Sequence, residues 1–260
     1  MVRAINYLRS FKPSRTCRHK YRAPINSAIV NSLQRLMIRS MAVNTISPKR
    51  SLILELVGPA GAGKTTLLQI LGQRDKRIRA GLRIPKHGYI KGVFLLLPTF
   101  LRIHRPYRGI LWKEMKRILY LKALHQLLKQ EAAKSYRAIV LDEGPVYMLS
   151  RLRVFGGGAI QGLSFEKWWQ SAINEWANTV DAIIWLDADN PTLAQRIRTR
   201  NQPCPVKDMT DSSLHVFFGR YRAAFEQVIS ELTAGDGPEV IKFVTHREAT
   251  EQIADRILSL

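Results

Sequence analysis

The segment from Leu52 to Thr66 constrains the fold more than any other part of this 260-residue chain. It reads LILELVGPAGAGKTT, an apolar run followed by a glycine-rich turn and then Lys-Thr-Thr. The apolar run predicts a buried β-strand, and the residues after the turn predict a helix. Glycines let the backbone fold back, so that successive main-chain N–H groups and the positive end of the helix face one anion. The segment therefore predicts a phosphate-binding loop between a strand and a helix.

The loop contains the groups needed to hold a nucleoside triphosphate and its magnesium ion. Its sequence matches G-x-x-x-x-G-K-[ST], in the required context of a strand before it and a helix after it. Lys64 is expected to contact the β- and γ-phosphates, and the Thr65 hydroxyl to coordinate Mg²⁺. Thr66 could reach the α-phosphate with its hydroxyl or its N–H group. The predicted nucleotide-binding residues are Gly58, Pro59, Ala60, Gly61, Ala62, Gly63, Lys64, Thr65 and Thr66.

Short apolar runs alternate with helical patterns along the rest of the chain. The predicted strands are 52–57, 137–141, 181–186 and 240–244. The predicted helices are 65–71 (ending at Gly72), 112–134, 164–180 and 212–232, with two more starting at Asn190-Pro191 and at the capping-box pattern Thr245-x-x-Glu248. This alternation implies right-handed β-α-β crossovers and a parallel sheet covered on both faces. The prediction is a three-layer α/β fold.

Two acidic residues follow directly after the second predicted strand. Asp142 and Glu143 come after RAIVL, and Gly144-Pro145 then turns the chain. Because ligands bind at the carboxyl ends of parallel strands, these acids and the phosphate-binding loop are expected to converge. An acid in this position usually anchors Mg²⁺, directly or through water, so Asp142 is predicted as the second metal ligand beside Thr65. Either acid could orient a phosphoryl acceptor or take its proton, and Glu143 could instead face solvent.

Two arginines in the helix that follows Asn190 are candidates for stabilising a transferred phosphoryl group. Leu193 and Ile197 are expected to point inward, which puts Arg196 and Arg200 together on one flank. A positioned arginine counters the negative charge that builds up during phosphoryl transfer. The competing interpretation is a solvated helix face, which spacing alone does not exclude.

The excess positive charge lies in two regions. The formal net charge is +21, residues 1–50 hold eleven Lys or Arg and no acid, and residues 74–117 hold thirteen against two acids. Residues 1–50 are predicted to be a disordered basic tail before a single domain at 51–260. The tail could be an organellar transit peptide over residues 1–40, an arm for nucleic acid or anionic lipid, or sequence upstream of a start at Met41.

Composition also limits the location of the protein. No apolar run approaches the ~18 residues of a membrane-spanning helix, so no membrane span is expected. Cys17 and Cys204 lie far apart and fit neither a disulfide framework nor a metal spacing, which favours a reducing compartment. We predict a cytoplasmic protein, or an organellar one if the tail is a transit peptide.

From about residue 51 to 260 the chain resembles the nucleoside and nucleoside-monophosphate kinases of the P-loop class, which include thymidylate and adenylate kinases. Three features carry the resemblance: the loop Gly58–Thr65, the strand-end Asp142–Pro145, and Leu186-Asp187 leading into Arg196-x-Arg198-x-Arg200. It implies ATP and Mg²⁺ as cofactors and transfer of the γ-phosphoryl group. It also implies an acceptor-binding region at about 74–136 and a lid at about 198–211.

The acceptor implied by the resemblance is a small anion, with a nucleoside monophosphate favoured. Its candidate contacts in the basic region are Arg83, Arg102, Arg105 and Arg108. Glu143 is followed by Gly144-Pro145, so the Asp-Arg-Tyr and Glu-Arg-Ser triplets of thymidylate and deoxynucleoside kinases are missing. Another metabolite or a polynucleotide 5′-hydroxyl would use the same groups, and a nucleic-acid-binding ATPase is the alternative from another class. The absence of Asn-Lys-x-Asp and Ser-Gly-Gly-Gln argues against a GTPase and a transporter ATPase.

Overall fold

The computed structural model describes residues 50–82, 84, 112–155, 163–201 and 206–259, and the structural statements below concern these residues. The predicted tail lies outside them apart from Arg50. Residues 202–205 of the predicted lid also lie outside them. The same holds for the candidate acceptor contacts Arg83, Arg102, Arg105 and Arg108.

A five-stranded parallel sheet forms the centre of the fold. Its strands are β1 Leu52–Val57, β2 Ile78–Ala80, β3 Ala138–Leu141, β4 Ala182–Asp187 and β5 Glu239–Val244. They lie in the order β2-β3-β1-β4-β5, and every neighbouring pair is parallel. The predicted parallel α/β sheet is confirmed. β2 is an addition, because the sequence assigns no element to the basic stretch in which it lies.

Helices cover both faces of this sheet. They are α1 Lys64–Arg74, α2 Trp112–Ala132, α3 Pro145–Phe155, α4 Leu163–Ala177, α5 Asn190–Thr199, α6 Asp211–Leu232 and α7 Thr250–Leu258. In β1, Ile53 and Val57 face a core built with α2, α3, α4 and α6, whereas Leu54 and Leu56 face one built with α1, α5, α6 and α7. This alternation is the period of two expected for a strand buried on both faces. None of the helices in the described ranges is both long and apolar enough to cross a membrane.

The tryptophans of α4 belong to the core, as the sequence predicts. Trp169 and Trp176 are fully buried, and Trp168 is partly buried against the same cluster. Arg153 of α3 lies 4.1 Å from the centre of the Trp169 ring. These rings therefore pack α4 against the neighbouring helices and are not a platform for stacking bases.

The prediction that the first helix ends at Gly72 is wrong. α1 continues through this glycine to Arg74. A Cβ atom at position 72 would lie 2.9 Å from the Cβ of Ala80 in β2, closer than two such atoms normally approach. Glycine stands here because helix and strand pack closely, and not because the chain turns.

The predicted capping box at Thr245 is also wrong. α7 begins at Thr250, with Ala249 in the N-cap position. Thr245 instead follows β5, where its main-chain N donates to the carbonyl oxygen of Asp187 at 2.7 Å. Glu248 forms an ion pair with Arg256, whose Nη1 lies 2.8 Å from Oε2. Both residues serve tertiary contacts that local sequence does not reveal.

The start of α5 differs from the prediction by one residue. The N-cap is Asp189 and not Asn190, because the carboxylate of Asp189 accepts a hydrogen bond from the main-chain N of Thr192 at 2.8 Å. Asn190 instead accepts a hydrogen bond from Arg222 at 2.7 Å. The helix itself is confirmed.

Candidate active site

The chain leaves β1 through a tight loop at residues 58–63. Gly58 has a φ of 152°, and a Cβ atom there would lie 2.1 Å from the main-chain oxygen of Leu186 in β4. Gly63 has a φ of 92°, a left-handed conformation that residues with a side chain rarely adopt. The first glycine permits close approach to the neighbouring strand, and the second turns the chain into α1.

The N-terminal end of α1 is open in the described structure. Gly63 is the N-cap residue and has no side chain that could accept a hydrogen bond from the first turn. Unpaired N–H groups at a helix start carry partial positive charge and bind anions. Thr65 and Thr66 are exposed in this same turn. This end of the helix could hold phosphate groups, with the Thr65 hydroxyl next to a bound metal ion.

Lys64 folds back over the loop. Its Nζ donates hydrogen bonds to the carbonyl oxygens of Gly58 at 2.7 Å and Pro59 at 3.1 Å. Burial lowers the pKa of Lys64, while the negative charges of Asp142 and Glu143 act in the opposite direction. The ammonium group therefore lies over the loop and close enough to both acids to be influenced by them.

Asp142 and Glu143 reach this region because β3 is the neighbour of β1. Leu141 is in register with Glu55, so the acids leave β3 at the sheet edge where β1 enters the loop. Asp142 is half-buried and Glu143 is exposed. The Tyr120 hydroxyl of α2 donates to the main-chain oxygen of Glu143 at 3.0 Å, which fixes the turn from a second side.

Thr65 and Asp142 suit a metal ion that arrives with a nucleotide. The described residues contain no group of three or more His, Cys, Asp or Glu side chains able to hold a metal. Mg²⁺ bound to a nucleotide takes most of its ligands from phosphate and water, and only one or two from protein. One exposed hydroxyl and one half-buried carboxylate at the loop edge are sufficient for that role.

The structure separates the two predicted arginines. Arg196 lies in α5 and donates to the carbonyl oxygen of Gly61 at 3.3 Å and to two oxygens of Thr245 at 2.9 Å each. Arg200 lies one residue beyond the end of α5, in an extended conformation, and is exposed. After burial and the two acids, the positive charge of Arg200 also acts on Lys64 and lowers its pKa. Arg196 thus forms a hydrogen bond with the backbone of the loop, whereas Arg200 influences the loop lysine, Lys64, through its charge.

Two polar contacts link the described parts of the predicted lid. Arg198 Nη2 lies 2.5 Å from a carboxylate oxygen of Asp211 at the start of α6. Lys207 donates to the main-chain oxygen of Arg200 at 2.9 Å. These contacts connect the end of α5 to the start of α6 beside the loop.

A charged cluster beside the acids contains residues that the sequence analysis missed. Arg117 of α2 has a side chain only 14% exposed, with Nη1 3.5 Å from Oε1 of Glu114. Arg151 of α3 donates to the Tyr147 hydroxyl at 3.0 Å. Burial, followed by the positive charge of Arg151, lowers the pKa of Arg117, so the two guanidinium groups are neighbours. Their meeting depends on how α2 and α3 pack, which sequence spacing does not reveal.

This cluster contains buried polar atoms that make no hydrogen bond within the described residues. Glu114 Oε2 and Arg117 Nη1 are buried and make no hydrogen bond within the described parts of the chain. Buried polar atoms nearly always have a partner, and exceptions often mark the place of a water, an ion or a ligand. Burial lowers the pKa of Arg151, but Tyr147 and, to a smaller extent, Tyr221 and Glu143 raise it above its ordinary value. Arg151 therefore lies close enough to Glu143 to be influenced by its charge.

The fold class follows from the sheet and the loop together. A parallel sheet ordered β2-β3-β1-β4-β5, with a glycine-rich loop and lysine after the central β1 and an acid after the adjacent β3, is that of the P-loop NTPases. In this sheet Asp142 directly follows β3, the strand next to β1.

Comparisons with known proteins do not assign this chain to a family. No protein-family model matches the chain, and no curated protein matches it. A solved structure of deoxyadenosine kinase from M. mycoides with bound dCTP aligns over 80% of this chain and 100% of its own, at 14% identity and a TM-score of 0.48. The YorR protein from Bacillus subtilis, in complex with phosphorylated GDP, aligns over 80% of this chain and 94% of its own, at 14% identity and a TM-score of 0.45. With TM-scores below 0.5, these likenesses support no conclusion about activity.

Proposed function

We propose that this chain is an ATP-dependent kinase that transfers the γ-phosphoryl group to a small anionic acceptor, with a nucleoside monophosphate as the preferred class. The observation that carries the proposal is the meeting of Lys64 with Asp142 and Glu143 at one edge of the sheet, where α1 begins without a side-chain cap. The polyphosphate would lie on the loop from Gly58 to Thr66. Mg²⁺ would bind through Thr65 and Asp142.

The side chains around the loop would have different roles in phosphoryl transfer. In the transition state, negative charge spreads over the moving group, and catalysis consists mainly of positioning and countering that charge. Lys64 and the exposed Arg200 supply positive charge beside the loop. Glu143 is the more exposed acid and would face the acceptor, while the half-buried Asp142 would hold the metal. A phosphate monoester is already largely ionised at neutral pH, so its oxygen needs no base, and Glu143 would orient the acceptor by accepting a hydrogen bond from one of its hydroxyl groups.

The arginines of α2 and α3 support an anionic acceptor over a neutral one. Arg117 and Arg151 place two like charges close enough to influence each other, and Glu114 forms an ion pair with Arg117. Like charges repel each other, and a phosphate between them relieves that cost. Guanidinium groups also match the geometry of phosphate oxygens. The neighbouring Glu143 connects this cluster to the phosphoryl-transfer site.

Two alternatives rest on the basic region at residues 1–50, which contains eleven Lys or Arg residues and no Asp or Glu. One is a polynucleotide 5′-hydroxyl kinase, and the other is an ATPase that binds nucleic acid without phosphorylating it. Either would show binding to nucleic acid that weakens steeply with salt, because cations on the protein displace counterions from phosphates.

The proposal is tested by incubating the purified chain with Mg²⁺-ATP and a panel of acceptors. The panel contains nucleoside monophosphates, the matching nucleosides and 5′-hydroxyl oligonucleotides, and both ADP and phosphorylated products are quantified by chromatography and mass spectrometry. We expect ADP and nucleoside diphosphate in equal amounts with at least one monophosphate. ATP turnover that only long nucleic acid stimulates, without any phosphorylated product, would remove the kinase proposal.

A further inference from the structure

A glutamate is buried in the central strand of the sheet, three residues before the phosphate-binding loop. Glu55 of β1 has no exposed surface, and its immediate neighbours Leu54 and Leu56 are also buried. Its Oε2 accepts a hydrogen bond from the main-chain N of Val146 at 3.0 Å, and its Oε1 accepts one from Tyr147 at 3.1 Å. The carboxyl group therefore closes the N-terminal end of α3.

The turn after β3 is shaped to receive this carboxyl group. A Cβ atom on Gly144 would lie 2.6 Å from Cδ of Glu55 and 2.9 Å from Oε1. Any larger residue at 144 would push the carboxyl group away from α3. The contact joins residues 91 positions apart, so the helix takes its cap from another strand and not from its own sequence.

A buried carboxyl group is a costly way to cap a helix. A local Ser, Thr, Asp or Asn would satisfy the first N–H groups from the surface without desolvating an ionisable side chain. What the Glu55 contact adds is a connection between two parts of the site. β1 leads directly into the loop at Gly58, and the turn ahead of α3 carries Asp142 and Glu143.

We propose that Glu55 is a positioning residue that sets the direction of Asp142 and Glu143 relative to the phosphate-binding loop. It acts by holding the start of α3 against β1, and it does not touch the nucleotide or the acceptor. This inference rests on the proposed function, because it assigns a role within phosphoryl transfer. The loop itself depends on its own glycines and on Lys64, so binding of the nucleotide without Mg²⁺ should tolerate the loss of Glu55.

The test compares Glu55→Gln and Glu55→Asp with a matched control at the other end of β1. A glutamine has one acceptor oxygen for two N–H groups, and an aspartate is too short to reach both. The control is Asp181→Asn, because Asp181 also accepts a hydrogen bond from a main-chain N of β1, that of Ile53 at 2.8 Å. Asp181 lies at the opposite sheet edge, where it pairs with Arg50.

Three readouts are measured on the full chain: affinity for an ATP analogue in the absence of Mg²⁺, kcat and KM for the phosphorylated acceptor, and amide hydrogen exchange at Val146 and Tyr147. For both Glu55 variants we expect nucleotide affinity within about twofold of the wild type, a loss in kcat/KM of at least about tenfold, and faster exchange at both amides. Asp181→Asn should keep kcat/KM and leave these two amides protected.

Specific results would overturn the inference. Unchanged kcat/KM in folded Glu55 variants, or a loss no greater than that of Asp181→Asn at equal stability, would show that the contact serves stability alone. If the wild type phosphorylates no acceptor, the proposed function fails by itself, and hydrogen exchange still reports whether Glu55 holds the start of α3. Slow exchange at Val146 and Tyr147 in both variants would refute that contact independently of activity.

Discussion

Arg196 donates hydrogen bonds to both oxygen atoms of Thr245, from Nη1 to Oγ1 and from Nη2 to the main-chain oxygen, each at 2.9 Å. A third bond, at 3.3 Å, reaches the carbonyl oxygen of Gly61 in the phosphate-binding loop. These contacts join α5, the residue after β5 and the loop. Arg196 therefore binds main-chain and hydroxyl oxygens, whereas Arg200 lies just beyond the helix and is close enough to Lys64 for its charge to act on the pKa of that lysine.

Methionine substitutions should separate the roles of these two arginines. Arg196→Met should lower the free energy of unfolding by about 2–3 kcal/mol, because charge-assisted hydrogen bonds to partly buried oxygens are lost. Arg200→Met should change stability by no more than about 0.5 kcal/mol and lower kcat on the order of 10³-fold. Urea unfolding and steady-state kinetics measure both effects. The opposite pattern would assign phosphoryl stabilisation to Arg196.

Lys64→Ala should abolish phosphoryl transfer and leave the fold intact. The variant loses the ammonium group that faces the loop and the acids, so kcat/KM should fall on the order of 10²-fold or more. Circular dichroism checks the fold, and Lys167→Ala in the exposed part of α4 is the control. Substantial activity in the Lys64 variant would contradict the role assigned to the loop.

Arg117→Met should weaken the binding of an anionic acceptor. Removing one charge-assisted contact to phosphate should raise KM for a monophosphate about 10- to 100-fold, with little effect on the KM for ATP. Arg153→Met is the control, because Arg153 lies on the neighbouring α3 but pairs with Glu166 at 3.0 Å. An equal KM for the monophosphate in wild type and the Arg117 variant would place the acceptor elsewhere.

Two glycines in helices should respond to alanine in opposite ways. Gly72→Ala in α1 gains helix propensity but forces a Cβ to within 2.9 Å of Ala80, and overpacking of this kind costs about 1–3 kcal/mol, so a net loss of stability is expected. Gly219→Ala in α6 meets nothing within 4 Å and should gain about 0.5–1 kcal/mol. Thermal or urea unfolding measures both effects. Stabilisation by both substitutions would show that β2 can shift to accommodate the added methyl group with little loss of stability.

Glu55 should make stability depend on pH. Burial raises the pKa of Glu55 from 4.5 to about 8, against the hydrogen bonds from Val146 and Tyr147, which lower it. The folded protein then keeps a proton that the unfolded chain releases above its own pKa. The contribution of Glu55 to the free energy of unfolding is therefore present in full below pH 4.5 and is lost as pH rises to about 8.

The loss can reach a few kcal/mol, at about 1.4 kcal/mol per pKa unit. Urea unfolding between pH 5 and pH 8 should show a steeper fall for the wild type than for Glu55→Gln, which cannot ionise. Glu226→Gln, at an exposed position of α6, should leave the slope unchanged. Parallel slopes in all three proteins would mean that Glu55 keeps an ordinary pKa.

Local patterns predict the features that depend on neighbouring residues. Glycine spacing, an apolar run before it and a lysine after it are enough to predict the loop at Gly58–Thr65, and short apolar runs predict four of the five strands. β2 escapes prediction because three residues, one of them the exposed Arg79, show no pattern of burial. Gly72 and Thr245 mislead because a glycine at a close contact and a threonine with a tertiary partner look like helix signals.

The sequence by itself determined that a phosphate-binding loop joins a buried strand to a helix and that two acids end another strand, since both are contiguous patterns. Only the tertiary structure decided that β3 lies beside β1 and that Glu55 reaches across to α3. It also placed Arg117 within reach of the charge of Arg151, and it gave Arg196 and Arg200 different surroundings. The physical reason is that charge, desolvation and hydrogen bonding act between atoms close in space, and the packing of helices on the sheet sets those distances.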